Sequence, residues 1–256
     1  MIEDITPLVI TFNEEANIAR TLERLIWARR IVVIDSGSTD GTLDIIRSCP
    51  RAEVIHRPFD DFASQCNFGI AQVTTSWVLS LDADYELSDE LVTELRSLRP
   101  DASTDGYRAR FVYRIFGQPL RGTVYPPRIV LYRKNKARYQ NQGHGHRVTV
   151  AGNVVLLSGV IFHDDRKPLV RWFTAQQRYA HEEAEHLVAS DRKTLSRADR
   201  IRLAAWPAPF AVLIYVLVLK GCLLDGWPGW YYALQRLLAE IMLALELIDR
   251  RLRRGI

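Results

Sequence analysis

The sequence predicts an α/β protein: a mostly parallel, Rossmann-like sheet, a smaller set of mixed strands after it, and a helical appendage at the end. Three observations predict this. Residues 7–98 alternate short apolar runs with amphipathic ones, the pattern of repeated βα units. From Gly106 the texture turns strand-like, punctuated by Gly117-Gln118-Pro119 and Tyr125-Pro126-Pro127. From Pro209 to Leu219 the chain is apolar all round, as a helix is when it is buried or meets lipid.

Taken in order, Pro7–Phe12 reads as the first strand and Glu14–Trp27 as a helix with Ile18, Leu22, Leu25 and Ile26 on one face. Ile31–Ile34 is a second strand ending on Asp35, followed by a tight Ser36–Gly41 turn and a helix over Leu43–Ser48. Glu53–His56 is the third strand, Phe62–Val73 the third helix and Trp77–Leu81 the fourth strand. Ser88 caps a helix through Leu98 whose first turn is acidic, as the helix dipole prefers. Strand-like runs follow at Tyr107–Phe116, Arg128–Tyr132, Val148–Val150 and Val154–Phe162. Residues 168–189 form a long helix with Trp172, Phe173, Tyr179 and Leu187 on one side. The expected segments are 1–100 for the βα half, 101–167 for the mixed strands of the same domain, 168–202 for a helical connector and 203–256 for an apolar hairpin with a basic tail.

A net charge of +4 and a pI near 9.0 suit phosphorylated substrates or anionic lipid but fall short of a nucleic-acid footprint. Cys49, Cys66 and Cys222 have neither metal-ligand spacing nor the even count of a disulfide framework, which suits a reducing compartment. Acids at Glu3 and Asp4 stand where a secretory signal would be basic, so the first half is expected in the cytoplasm. No Gly-x-Gly-x-x-Gly follows the first strand and no Gly-x-x-x-x-Gly-Lys occurs, so neither dinucleotide redox nor P-loop chemistry is signalled.

The chemistry concentrates at strand ends. The run Trp77–Leu81 stops on Asp82-Ala83-Asp84, and the carboxyl ends of parallel strands open onto the binding crevice. Two carboxylates at i and i+2 can share one hard divalent cation, which in turn bridges phosphate oxygens. Phe12-Asn13-Glu14 after the first strand and Asp35 after the second complete what a nucleoside diphosphate needs: a flat face, hydrogen-bonding edges and a cation site. Nine basic residues between Arg108 and Arg138, interleaved with aromatics, offer either a solvated sheet face or a groove for a phosphate-bearing acceptor.

Thr11-Phe-Asn-Glu-Glu15, Val33-Ile-Asp35-Ser-Gly-Ser-Thr-Asp-Gly-Thr42, Asn67-Phe-Gly69 and Leu81-Asp-Ala-Asp84 resemble the ordered signatures of the family 2, GT-A fold glycosyltransferases, and are most similar to the lipopolysaccharide-core β-glucosyltransferase subgroup. The resemblance covers about residues 5 to 165 and extends to the apolar tail around Gly221–Gly226. It implies inverting transfer from a nucleoside-diphosphate sugar with Mn2+ or Mg2+ present. Thr11, Phe12, Asn13, Glu14, Asp35, Ser38, Asn67 and Asp82 would bind the donor, Asp35 near the base and Asp82 near the ribose or metal. Asp82, Asp84 and His163 would hold the metal. Where related sequences carry a His-Glu pair, this one reads Gly143-His144-Gly145-His146-Arg147, so the base falls to His146, His144, or an acid after His163, Asp164 or Asp165. The rival functions are a sugar-nucleotide nucleotidyltransferase, which would need a Gly-rich phosphate loop, and a non-catalytic membrane-bound scaffold with a degenerate donor site.

About eleven apolar residues at 209–219 are fewer than the roughly 20 a spanning helix needs. A single span would also carry the arginine-rich tail across the membrane, against the tendency of basic residues to remain inside. A two-helix hairpin turned at Asp225–Gly229 in one leaflet is therefore expected, on the cytoplasmic face of the inner membrane. Trp206, Trp227, Trp230, Tyr231 and Tyr232 would sit at the headgroups and the terminal arginines on anionic lipid.

Overall fold

Strand β1 (Ile5–Thr11) forms the spine of the first unit, paired in parallel with β2 (Ile31–Asp35) on one side and β4 (Trp77–Asp82) on the other. It is covered on both faces, which is why it reads as a continuous apolar run instead of an alternating one. The computed structural model describes residues 2–101, 103–142 and 145–255, which form two compact units. The first comprises Met1–Phe116 and Tyr125–Arg166, the second Gly117–Val124 and Lys167–Ile256.

In the first unit the main sheet continues from β3 (Ala52–His56) through β2, β1 and β4 to β8 (Arg128–Arg133), β6 (Thr104–Ile115), β11 (Asn153–His163) and β5 (Tyr85–Leu87). The first four strands are parallel, β8 runs antiparallel to β4 and β6, and β5 runs antiparallel to β11. A separate ribbon joins β9 (Ala137–Gln142) to β10 (Gly145–Val150). The chain leaves β1 toward β2 and β3 on one side and returns to β4 on the other. That reversal puts the crevice at the carboxyl ends of β1 and β4.

Alternate residues of the same strands serve two cores, as the two-residue period of a strand requires. Val33, Leu79 and Leu81 pack with Leu87, Leu91 and Leu95 on one face. Val32, Ile34 and Val78 pack with Cys66, Ile70 and Tyr132 on the other.

Helices α2 (Thr42–Arg47), α3 (Phe62–Gln72) and α4 (Asp89–Ser97) follow the expected positions, with Ser88 capping α4 through Leu91 N–H at 3.1 Å. Helix α1 (Ile18–Glu23) is shorter than expected. Asn13 takes a left-handed φ of +55°, and Glu14 O accepts from both Asn17 and Ile18 N–H, so the chain turns before it can coil. Leu25 is buried, but Ile26 faces solvent. Strands β5 and β9 were not expected; the polar run of β9 is held in extended form by its ribbon partner.

The second unit holds a two-residue strand β7 (Gln118–Pro119), α5 (Leu169–Ala189), α6 (Arg197–Leu203) and α7 (Pro207–Ile214). A π-turn at Tyr215–Leu219 and a 3-10 turn at Cys222–Asp225 lead into α8 (Trp227–Arg254). Gly221 and Gly226 supply the positive φ of the hairpin turn, and Asp225 accepts from the backbone N–H and Nε of Arg121, both at 3.0 Å. The seam of α5 against α8 is built from Ala180, Ala184 and Leu187 with Leu243, Ala244 and Leu247. Small residues let the two helices approach closely, while Trp172 and Tyr179 are half-buried and Phe173 is exposed.

Among the described residues no helix is long and apolar enough to cross a membrane. Helix α8 instead exposes an apolar stripe along its whole length: Trp227, Trp230, Leu234, Leu245, Ile248 and Leu252 are exposed, with Leu238 and Ile241 half-buried between them. Spacings of three and four residues put them all on one side, opposite the seam. Trp206, Phe210, Ile214, Val218, Leu219, Leu223 and Leu224 are also exposed. One detail of the tail departs from expectation, the burial of Tyr232. Tyr232 is buried and accepts from Val124 N–H at 3.2 Å, and Arg250, Arg251 and Arg253 are engaged by Glu246, the Leu203 carbonyl and Asp249.

Candidate functional site

The donor-side loops are organised by two side chains. Asp35 is buried at the end of β2, and its Oδ2 accepts from Gly37 N–H at 2.8 Å and Ser38 N–H at 3.0 Å, while Ser38 Oγ donates to Oδ1. Asn13 Oδ1 accepts from Thr39 N–H at 2.7 Å, and Asn13 N–H donates to Ser38 Oγ at 2.8 Å. Asp35, Asn13 and Ser38 thus lock the loops after β1 and β2 together. Both carboxylate oxygens of Asp35 hold its own loop, and His56 Nδ1 lies 3.8 Å from Oδ2. Phe12 projects from the same loop with half its surface exposed, a free ring face beside the crevice. Thr11 is buried at the end of β1.

Two expected donor ligands are committed elsewhere. Glu14 is buried, its N–H donates to Thr42 Oγ1 at 2.7 Å and its carboxylate accepts from Asn17 Nδ2 at 2.8 Å. Asn67 uses both ends of its amide on the backbone of Tyr139, at 3.0 and 2.9 Å, and so ties α3 to β9 like an extra rung of sheet.

Asp82 closes β4 half-buried, and among the described residues its carboxylate makes no hydrogen bond or ion pair. Asp84, mostly buried, lies 3.1 Å through Oδ2 from Nε2 of His163, because β5 pairs with β11 in the register His163↔Tyr85. Burial works against the imidazolium of His163, yet Asp84, with smaller help from Asp82 and Asp165, holds its pKa above the ordinary value. His163 therefore reaches the acid pair as a partner of Asp84. Among the described residues no three His, Cys, Asp or Glu side chains form a ready-made metal cage.

An aromatic cluster backs the acids. Tyr85 and Tyr125 share a hydrogen bond between hydroxyls, Tyr113 lies 4.2 Å from the His163 ring, and the Arg128 guanidinium stands 4.2 Å from the centroid of Tyr125. Burial first, then the negative charge of Asp82, pushes the Tyr85 phenol well above its ordinary pKa, so it remains a neutral hydrogen-bonding group.

Asp164 is paired within the protein. It is 0% exposed and its Oδ2 accepts from both Nε and a terminal nitrogen of Arg166, at 3.0 and 2.6 Å. Asp165 beside it is exposed, its Oδ1 held 2.9 Å from Asn17 Nδ2. His144 lies outside the described residues, as does the side chain of His146, whose backbone pairs with Asn141.

The hub that ties the site together is Asn17, which no motif signals. Its Nδ2 donates to Glu14 and Asp165, and its Oδ1 accepts from Arg20 at 2.9 Å and from Arg166 N–H at 3.0 Å. Arg20 also donates to the Asp164 carbonyl at 2.7 Å and pairs with Glu86 at 2.9 Å, which faces Arg114 as well. The end of β11 is thereby fastened to the loop after β1.

Residues 8–161 match the family model described as glycosyl transferase family 2. An uncharacterized glycosyltransferase of Rickettsia typhi is 28% identical over 204 residues, covering 74% of this chain and 70% of that one. The lipopolysaccharide core biosynthesis glycosyltransferase LpsC of Rhizobium meliloti is 29% identical over 204 residues, covering 74% of this chain and 73% of that protein. The solved structure of the mannosyltransferase PcManGT from Pyrobaculum calidifontis, in complex with GDP-Man and Mn2+, matches with a TM-score of 0.55 at 15% identity, over 96% of this chain and 87% of that one. The α/β architecture is that of the GT-A glycosyltransferases, with a helical C-terminus.

Proposed function

Because the chain belongs to glycosyl transferase family 2, we propose that it transfers a sugar, with inversion, from a nucleoside-diphosphate sugar to a lipid-linked or cell-envelope glycan at the cytoplasmic face of the inner membrane. The observation that carries the reading is the convergence of Phe12, the Asp35–Ser38 loop and the Asp82–Asp84 pair at the carboxyl ends of β1, β2 and β4. The similarity to a lipopolysaccharide core biosynthesis enzyme supports an envelope acceptor. The exposed stripe of α8 supports work at a membrane surface.

The acid pair fits a divalent cation that keeps much of its shell for other oxygens: Asp82 and Asp84 supply hard donors two residues apart, without a closed cage. Mn2+ or Mg2+ bound there would supply Lewis-acid charge to the leaving diphosphate. The chain's own groups do the rest. Phe12 offers a face to the base, and the Asp35-ordered loop presents backbone beside the nucleoside. In the transfer the acceptor hydroxyl oxygen bonds to the anomeric carbon as the bond to the diphosphate oxygen breaks, that oxygen keeping the electron pair. The hydroxyl proton passes to a base, for which exposed Asp165, steadied by Asn17, and His146 are the residues to test.

A thermal-shift screen of sugar nucleotides with Mn2+ tests the proposal. A true donor at about 100 times its Kd should stabilise the protein by about 2.7 kcal/mol, and Asp84→Asn should abolish both that shift and transfer. Absence of a shift with every nucleoside-diphosphate sugar, or transfer undiminished by chelator, would overturn it. The anomer of the product, read by NMR, separately tests inversion.

A further inference from the structure

Around the acid pair most arginines are already spent. Arg20 and Arg114 face Glu86, Arg114 also lies over the Phe162 ring, and Arg166 holds Asp164. Arg128 differs. It is exposed at the start of β8, where its backbone pairs with β6, and among the described residues its guanidinium makes no hydrogen bond or ion pair, so its five N–H donors are unspent. It is nonetheless held in place by the stack on Tyr125, and that ring is braced in turn. Its hydroxyl bonds Tyr85, its edges meet Phe111 at 5.0 Å, Tyr113 at 5.9 Å and His163 at 5.7 Å, and Tyr85 directly follows Asp84 in the chain. The Tyr125 hydroxyl bonds Tyr85, the residue after Asp84, so the stacked guanidinium stands on the side of the acid pair.

An arginine aligned by an aromatic face, donors open, beside the carboxylates of a donor site has a charge problem to solve. Two carboxylates cancel a divalent cation, which leaves the diphosphate uncompensated just as departure gives it another negative charge. A guanidinium recognises phosphate oxygens in a two-pronged fashion that an ammonium cannot match. We propose that Arg128, preset by the Tyr125 ring, binds the diphosphate of the donor and stabilises it as it leaves.

This rests on the glycosyltransferase reading, and the test separates the two. Binding of pyrophosphate, UDP, GDP and the matching monophosphates would be measured by calorimetry with Mn2+ for the wild type, Arg128→Met, Arg128→Lys and Tyr125→Leu. Arg128 is exposed, so its variants should melt like the wild type. Arg128→Met should weaken pyrophosphate and the diphosphates about 10- to 100-fold while changing the monophosphates much less. Arg128→Lys should recover part of the loss, and Tyr125→Leu should weaken the diphosphates by loosening the guanidinium. Diphosphate binding unchanged in Arg128→Met, or an equal loss for mono- and diphosphates, would overturn the assignment while leaving the family reading intact. A folded wild type that binds no nucleoside diphosphate would overturn both.

Discussion

Asp61 closes the first turn of α3, its carboxylate accepting from Ser64 N–H at 2.8 Å, Ser64 Oγ at 2.6 Å and Asn141 Nδ2 at 2.9 Å. Those donors, the Ser64 hydroxyl foremost, hold its pKa below the ordinary 3.8. Since the folded state favours the ionised form, the stabilisation is complete above that ordinary value and is lost as pH falls through the lower folded one. Asp61→Ala should cost about 1 kcal/mol at pH 7 and less at pH 2, measured by urea denaturation at both. At this scale the sequence was readable where a residue type has few other uses: Asn13, Asp35, Ser38 and the Asp82–Asp84 pair all converge on the loops after β1, β2 and β4. Asn17 and Arg128 were not readable. An asparagine at a helix start and an arginine at a strand start are ordinary, and their roles come from partners 148 positions away, as with Asp165, or from a ring stacked beneath. Asn67 has a structural use that its motif does not announce, since an amide of that type is equally suited to binding backbone.

Strand β11 and helix α4 meet without a side chain between them. A Cβ at Gly159 would lie 2.5 Å from the Leu91 Cα, and the Glu94 carboxylate accepts from the N–H groups of Ser158 and Gly159 at 2.9 to 3.1 Å. Backbone cannot step aside as the end of a long side chain can. Gly159→Ala should therefore destabilise the first unit by about 1–3 kcal/mol or more, whereas the exposed Ser158→Ala should be nearly neutral, both read from thermal unfolding. The buried parallel strands were legible because they are apolar on both faces, and α4 because Ser88 and an acidic first turn announce it. Strand β9 was not, because its polar run is extended only through pairing with β10, and β5 was not, because three residues carry no period. The seam of α5 was not legible because a close helix pair favours alanine, which carries no sign of burial by itself.

At the scale of the molecule the two units differ in charge. The second carries 15 lysines and arginines against nine acids, the first 19 against 21. An apolar stripe on the basic unit suits the surface of an anionic bilayer, with α8 lying about 40 Å along it. The tail arginines add less than their number suggests, because Glu246 and Asp249 already face Arg250 and Arg253. Replacing the exposed Leu234, Leu245 and Leu252 together by serine should leave unfolding temperature nearly unchanged and release the protein from phosphatidylglycerol vesicles in a flotation assay. Undiminished flotation would remove α8 from the contact. The stripe has a consequence in the test tube as well. With no lipid to cover it, an apolar stripe favours burial against a second copy, and the positive charge of the second unit opposes that approach. That repulsion reaches about 30 Å at 10 mM salt but only about 8 Å at 150 mM, so adding salt to the lipid-free protein should drive self-association, reversed by mild detergent.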